Sequence, residues 1–243
     1  MCQIKFGKMK KLKFDTILDV FNILNVNNVP YVVLRNYENL LETEMYVEGH
    51  GDVDMLCADS QEIVKLLGAE TTRKDHPPFI GDGTHYYIYV GDEKCSLDLR
   101  YVGDDYYCKK WEEDVLSNRV LNNGFYVMNE ENYFYTLIYH SILQKQKLSD
   151  DYLKRLSAMA RKLQKTMDGV DEKAFIKLLN EYMRDKKYHY TYPVDFCVPC
   201  RFYLVDKSLV LNNWKRIFIH KKYEFYVLVI DFLVWVKHCI IKK

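Results

Sequence analysis

The stretch Gly-Asp-Val-Asp-Met-Leu at residues 51–56 decides the fold predicted for this chain. Its polar and apolar residues alternate, which is typical of a strand with one buried face. Because side chains two positions apart on a strand share a face, Asp52 and Asp54 point the same way, with Cα atoms about 6.5–7 Å apart. The preceding Gly51 has no side chain and would allow a ligand to approach the backbone closely. The stretch therefore predicts a strand that presents two carboxylates at one place.

A second alternating stretch, Ser-Leu-Asp-Leu-Arg at residues 96–100, predicts another strand, with its leucines on one face and Asp98 on the other. If the two strands are neighbours, Asp98 joins Asp52 and Asp54. Carboxylates repel one another, so a cluster of three is typical of a bound divalent cation or a shared proton. We therefore expect a Mg²⁺ or Mn²⁺ site made by these three residues, which is the chemistry of metal-assisted phosphoryl or nucleotidyl transfer.

The alternative for the same residues is a solvated sheet face without a metal. In that case Asp98 would form an ion pair with Arg100 or with Arg35. The sequence alone leaves both alternatives open.

Composition limits the classes of function. The formal net charge of the 243 residues is +1, so no basic field indicates a nucleic-acid partner. The seven cysteines are odd in number and scattered, which favours a reducing compartment over a disulfide framework. Residues 1–13 contain lysines but no apolar run behind them, so we expect no secretory signal and a cytoplasmic location.

The first 101 residues predict a small mixed sheet backed by helices, an α+β arrangement. Helical or alternating patterns predict helices over 14–27 and 61–68 and strands over 31–34, 52–56, 84–90 and 94–101. Beyond residue 105 the pattern changes, and helices are predicted over 109–118, 130–145, 150–167 and 171–185. We therefore expect a catalytic core at 1–105 and a mainly helical C-terminal half at 106–243.

This order of elements, with Gly-Asp-Val-Asp on one strand and an acidic residue on a later one, resembles the polymerase-β-like nucleotidyltransferase superfamily. The resemblance implies that Asp52 and Asp54 hold metal ions on the nucleotide phosphates. It also implies that Asp98 completes the metal site and helps to activate the attacking hydroxyl. The superfamily usually has a Gly-Ser or Gly-Gly pair after the first strand, where this chain has Leu-Arg-Asn-Tyr-Glu at 34–38. The guanidinium of Arg35 would hold the donor phosphates in place of that pair.

A longer set of segments is similar to nucleotidyltransferase-like proteins of bacterial surface-polysaccharide loci. The segments are Val-Leu-Arg-Asn-Tyr-Glu at 33–38, Gly-Asp-Val-Asp at 51–54, Tyr-Tyr at 106–107 with Trp111, Asn-Arg at 118–119, Phe-Tyr-Val at 125–127, Tyr-His at 139–140, Lys145 and Asp-Tyr at 151–152. The similarity implies a metal-dependent nucleotidyl- or phosphotransferase acting on a hydroxyl of a sugar, polyol or glycan. Its partners would be a nucleotide or nucleotide-activated donor and a sugar or glycan acceptor, which a lipid could carry.

The residues expected to bind substrate are Arg35, Gly51, Arg100, His140 and Lys145. His140 would contact a phosphate or the leaving group, with Lys145 as a nearby cation. The alternative is that His140 is an ordinary packed residue of its helix. The alternative for the whole chain is a catalytically inactive nucleotidyltransferase-like binding or scaffold protein at the membrane surface, which the missing Gly-Ser pair favours.

The segment 225–236 is the most apolar part of the chain and has lysines on both sides. It is shorter than the roughly 20 residues that a membrane-spanning helix needs. Three alternatives follow: a core element, an in-plane membrane helix and a protein interface. An in-plane helix would give a peripheral contact with the inner face of the membrane through residues 223–243.

Overall fold

The computed structural model describes residues 12–38, 40–41, 52–72, 84–145 and 147–241. The helices are α1 (Ile17–Val26), α2 (Ser60–Leu67), α3 (Lys109–Ser117), α4 (Glu130–Ile138), α5 (Asp150–Lys162), α6 (Glu172–Lys186) and α7 (Trp214–Ile241). The strands are β1 (Tyr31–Val33), β2 (Asp52–Cys57), β3 (Glu70–Thr71), β4 (His85–Val90), β5 (Glu93–Tyr101), β6 (Val120–Asn122) and β7 (Phe125–Val127). Within this part of the chain, no helix is both long enough and apolar enough to cross a bilayer.

The chain forms two compact units. The first contains the described residues up to Val102 together with Val115–Asn129, and the second contains Gly103–Asp114 and the residues from Glu130 onward. The expected domains at 1–105 and 106–243 stay a prediction, because compactness does not by itself show that a segment folds alone.

The first unit is built on one mixed sheet, which has seven strands in the described residues, in the order β3-β4-β5-β2-β1-β7-β6. The pairs β2·β5 and β1·β7 are parallel and the other pairs are antiparallel. The second unit carries most of the helices. The α+β class predicted from the sequence, with a mixed sheet and a mainly helical C-terminal half, is confirmed.

One face of the sheet forms a hydrophobic core with α1 and α2. Helix α1 contributes Val20, Phe21 and Leu24, whose spacing places them on one side of the helix. The central strands contribute Met55 and Leu97. All five side chains are fully buried. The opposite face of the sheet is therefore the face that holds the polar residues of β2 and β5.

Helix α1 starts later than the predicted residue 14. Phe14 pairs instead with the end of β4, where its amide donates to the carbonyl of Tyr89 at 3.2 Å. Thr16 then caps the helix, and its side chain and that of Asp19 bond reciprocally to each other's backbone amides. This capping box fixes the start at Ile17.

The second unit has an aromatic core around Trp111. The indole ring stacks on Tyr188 at 5.4 Å between centroids and meets Tyr107 and Tyr139 at 4.8 and 5.9 Å. Its Nε1–H donates to Asn132 Oδ1 at 3.1 Å. The predicted helix over 130–145 differs here, because α4 changes into a π-helix at Tyr139–Gln144.

Candidate active site

The register of β2 and β5 brings the three predicted aspartates together. Asp54 lies opposite Asp98 in the parallel pair, and Asp52 lies opposite Ser96. Each aspartate offers one carboxylate oxygen within 4.8 Å of the others. A separation of this size allows one or two divalent cations to be shared by the three side chains.

The alternation of the two strands explains why the carboxylates face away from the helices. Val53 and Met55 of β2 and Leu97 and Leu99 of β5 are buried in the core with α1 and α2. Because the side-chain period of a strand is two, burying these residues turns the aspartates to the other face. The local sequence therefore fixes the face, and the pairing of the strands fixes the cluster.

Burial raises the pKa of Asp98 above its ordinary value of 3.8. The nearby carboxylates of Asp54 and Asp52 raise it further, while His85 and Arg100 lower it. The negative charge of ionised Asp98 is thus not fully balanced by the positive groups nearby. A divalent cation would supply positive charge at this place. This matches the donor set that Mg²⁺ and Mn²⁺ prefer, which consists of carboxylate oxygens.

Arg35 follows β1 and reaches the same cluster. Its Nη2 lies 2.8 Å from Oδ1 of Asp54, and the two side chains are only 11% and 12% exposed. The backbone supports this contact, since the amide of Leu34 donates to the carbonyl of Asp54 at 2.9 Å. Arg35 therefore forms an ion pair with Asp54, because β1 is the neighbour of β2 in the sheet.

Arg100 is placed on the same face of β5 as Asp98, two residues further along. Its side chain is buried, and its charge lowers the pKa of Asp98. Two arginines of the first unit therefore act on the cluster, Arg35 through Asp54 and Arg100 through Asp98. Gly51, the remaining predicted residue beside the cluster, lies outside the described residues.

His85 is a residue of the site that the sequence prediction missed. It stands opposite Asp98 on β4, with Nδ1 at 3.8 Å from Oδ1 of the aspartate and 2.9 Å from Oγ1 of Thr84. The sequence feature that could have revealed His85 is the turn at Gly91 and Asp92, because this turn sets the pairing of β4 with β5. A two-residue turn pairs Val90 with Glu93, and that register leads directly to the pair of His85 and Asp98.

A row of half-buried aromatic side chains continues from His85 along the same face of β4. Tyr87 lies opposite Ser96, and Tyr89 lies opposite Lys94. The hydroxyl of Tyr87 donates to Glu70 at 2.8 Å, and the Lys94 ammonium sits 4.1 Å from the centre of the Tyr87 ring. This face of β4 therefore carries aromatic side chains that continue from the histidine beside Asp98.

His140 and Lys145 belong to the second unit. His140 is buried in the π-helix, and its Nδ1–H donates to Oε1 of Gln144 at 3.1 Å. The same oxygen accepts from the Tyr106 hydroxyl at 2.7 Å. Lys145 follows the π-helix with an exposed side chain, and its carbonyl accepts from Arg201 Nη1 at 3.5 Å. The substrate-binding roles of both residues stay predictions.

No protein-family profile matches the chain, and no curated protein matches it significantly. Among solved structures, it is similar to the antibiotic-resistance factor ANT(2'')-Ia at 12% identity and a TM-score of 0.37, over 70% of this chain and 90% of that one. It is also similar to JHP933 from Helicobacter pylori at 13% identity and a TM-score of 0.35, over 89% of this chain and 95% of that one.

The class of site is defined by the chain's own residues. An Asp-x-Asp pair on one strand and a third aspartate on the parallel neighbouring strand form the nucleotidyltransferase-like arrangement that the sequence resemblance predicts. The grouping of the three aspartates agrees with the resemblance to nucleotidyltransferases, and membership of that superfamily stays a prediction.

Proposed function

We propose that this protein is a metal-dependent transferase that moves a nucleotidyl or phosphoryl group to a hydroxyl of a sugar, polyol or glycan. The observation that carries the proposal is the cluster of Asp52, Asp54 and Asp98, whose oxygens lie within 4.8 Å of one another on one face of the sheet. The donor would be a nucleotide or a nucleotide-activated compound.

In this proposal Asp52 and Asp54 hold the divalent cation, Mg²⁺ or Mn²⁺, and Asp98 completes its ligand set. The cation, when bound, neutralises charge on the phosphate oxygens and orients the leaving group. Asp98 also accepts the proton of the acceptor hydroxyl. The hydroxyl oxygen then forms a bond to phosphorus while the bond from phosphorus to the leaving oxygen breaks. The position of Asp98 on the strand beside the two proposed metal ligands supports this role.

Arg35 is proposed to hold the donor phosphates. A guanidinium presents a planar set of donors that matches phosphate geometry, and Arg35 is already fixed beside the cluster by Asp54. Arg100 would add positive charge on the same face. These two residues would do with side chains what the Gly-Ser pair of the superfamily does with backbone amides.

The row of His85, Tyr87 and Tyr89 beside the aspartates supports an acceptor or donor with a sugar ring. The sequence similarity adds surface-polysaccharide biosynthesis on the cytoplasmic side of the membrane, with a lipid-linked glycan among the acceptors. Gly51, His140 and Lys145 stay in the proposed set of substrate-binding residues.

The test is calorimetric titration with Mg²⁺ or Mn²⁺ and a panel of nucleoside triphosphates and CDP-linked polyols. Wild type is expected to bind one nucleotide only when metal is present, and Asp54→Asn is expected to lose that binding. Asp92→Asn is the matched control, because it makes the same change in an exposed turn of the same sheet. Full binding or activity in Asp54→Asn would contradict the proposal.

A second candidate is a non-catalytic binding or scaffold protein with the same fold. It is favoured by the ion pair of Arg35 with Asp54, in which an arginine already neutralises a carboxylate that a metal would need. A folded wild-type protein that binds neither metal nor any nucleotide of the panel would support this candidate over the transferase.

A further inference from the structure

Helix α7 exposes a line of large apolar side chains along one side. Six of them are 60–69% exposed, namely Trp214, Phe218, Phe225, Leu228, Phe232 and Trp235. They are three, four or seven residues apart, and this spacing keeps them on one side of a helix. We call these six residues the apolar stripe. From first to last it is about 32 Å long, at 1.5 Å per residue.

The first turns of α7 are attached to the second unit through another side of the helix. His220 is buried, and its Nε2–H donates to the carbonyl of Pro193 at 2.9 Å. Its ring lies 5.2 Å from that of Tyr192, and Tyr223 meets Phe196 at 5.3 Å. Because these contacts use a different side, the stripe is left outside the core. Among the described residues, the six stripe residues are exposed and are not part of a core.

The charge of this part of the chain favours an anionic partner. Residues 214–243 contain seven lysines and arginines and two acidic residues, a net charge of +5 with neutral histidines. The basic residues are Lys215, Arg216, Lys221, Lys222, Lys237, Lys242 and Lys243. Two copies of such a segment repel each other, whereas a surface of anionic lipids attracts each of them.

The amino-acid composition of the stripe also favours a lipid surface over a second copy of the chain. Five of its six residues are Trp or Phe, which are the side chains that interfacial helices insert between lipid headgroups and acyl chains. A helix that pairs with a second copy usually has Leu, Ile or Val along its seam. Lys221 interrupts the stripe, and its long side chain can follow the apolar surface and keep its ammonium among the headgroups.

We propose that α7 binds the surface of a membrane containing anionic lipids, with the apolar stripe immersed and the lysines at the headgroups. In the second half of the helix Tyr226 and Leu233 are also exposed, at 45% and 55%. They lie three or four residues from Ile230 and therefore share its side of the helix, which is not the side of the stripe. The proposal is independent of the transfer reaction, and its test requires no turnover.

The experiment uses the full chain and two kinds of vesicle, phosphatidylcholine alone and phosphatidylcholine with phosphatidylglycerol in equal parts. Wild type is expected to co-float with the anionic vesicles only, and to be released by high salt. Fluorescence should shift to the blue on binding, because Trp214 and Trp235 lie on the stripe while Trp111 is already buried. The double variant Phe225→Gln with Phe232→Gln should lose at least about tenfold in affinity.

The matched control is Ile219→Gln with Ile230→Gln. These residues are also exposed and eleven residues apart, on another side of the same helix. It should keep most of the vesicle binding. Circular dichroism of both variants checks that the helix is retained.

Four results would overturn the proposal. The first is a folded wild-type protein that does not bind anionic vesicles. The second is equal binding to both kinds of vesicle, and the third is equal loss in the stripe and control variants. The fourth combines two measurements. Light scattering shows that the wild-type protein is a dimer and that the stripe variant is a monomer, and the wild-type protein does not bind vesicles. That last result would show that a second copy covers the stripe.

Discussion

Arg35 Nη2 lies 2.8 Å from Asp54 Oδ1, so the residue that follows β1 neutralises one carboxylate of the cluster on β2 and β5. Both side chains are little exposed, so solvent and salt screen their attraction less than that of a surface ion pair. The contact gives Arg35 two opposing effects. It lowers the attraction of the cluster for a cation, and it places a guanidinium where donor phosphates would bind.

Replacing Arg35 should therefore change metal and nucleotide binding in opposite directions. In Arg35→Gln the affinity for Mn²⁺ alone is expected to rise, because a positive charge has been removed beside the metal ligands. The affinity for a metal-bound nucleotide is expected to fall about tenfold, or about 1.4 kcal/mol. Calorimetry measures both. Lys13→Gln, which breaks an exposed ion pair in the same unit, is the control and should change neither.

Removing the charge of Asp98 should make the metal-free protein more stable. The pKa of Asp98 is raised in the folded state, so its ionised form opposes folding, and this cost appears as the pH rises through that pKa. Asp98→Asn removes the cost. Urea unfolding with a chelator at neutral pH should show a higher free energy of unfolding for the variant. Activity should fall about 10²- to 10⁴-fold, as expected for loss of a base. A less stable variant would contradict the assignment of Asp98 as an under-compensated carboxylate.

His85 is expected to hold the pKa of Asp98 down. The imidazole is 3.8 Å from the carboxylate and opposes the effect of burial. In His85→Gln the pKa of Asp98 should rise further. Carboxyl carbon NMR of the metal-free protein measures it directly. An unchanged pKa would show that the contact has no electrostatic effect. The control is His189→Gln, since His189 lies in the second unit.

The stability of the second unit should depend on pH through Glu112. Its carboxylate is fully buried and accepts from the amides of Gly103 at 2.7 Å and Tyr107 at 3.1 Å. Burial, with Asp104 close by, raises the pKa of Glu112 from 4.5 to about 9.

The folded protein therefore binds a proton at Glu112 that the unfolded chain releases above about 4.5, so stability falls as the pH rises toward about 9. Glu112→Gln keeps the neutral form and should remove this decline. Urea unfolding of both proteins across this range measures the difference. A wild type with the same slope as the variant would contradict it.

The alternation of polar and apolar residues was enough to predict that the three aspartates lie on one face of the sheet. The alternation along residues 52–56 and 96–100 predicted that Asp52, Asp54 and Asp98 share one face. The leucines of the second segment are buried on the opposite face, in the core, which confirms the face of the aspartates. Helix ends were predicted less well. The start of α1 depends on the pairing of Phe14 with β4, which is a contact between distant parts of the chain.

The sequence by itself determined which side chains share a face, because the periods of strands and helices are properties of neighbouring residues. It did not determine the partner of Arg35 or the position of β7, which pairs in parallel with β1 almost a hundred residues earlier. Parallel neighbours are joined by long crossovers, so their register is set by packing of the whole unit. The same holds for α7, where the apolar pattern predicted a covered surface and only the tertiary structure showed that the rest of the described chain does not cover it.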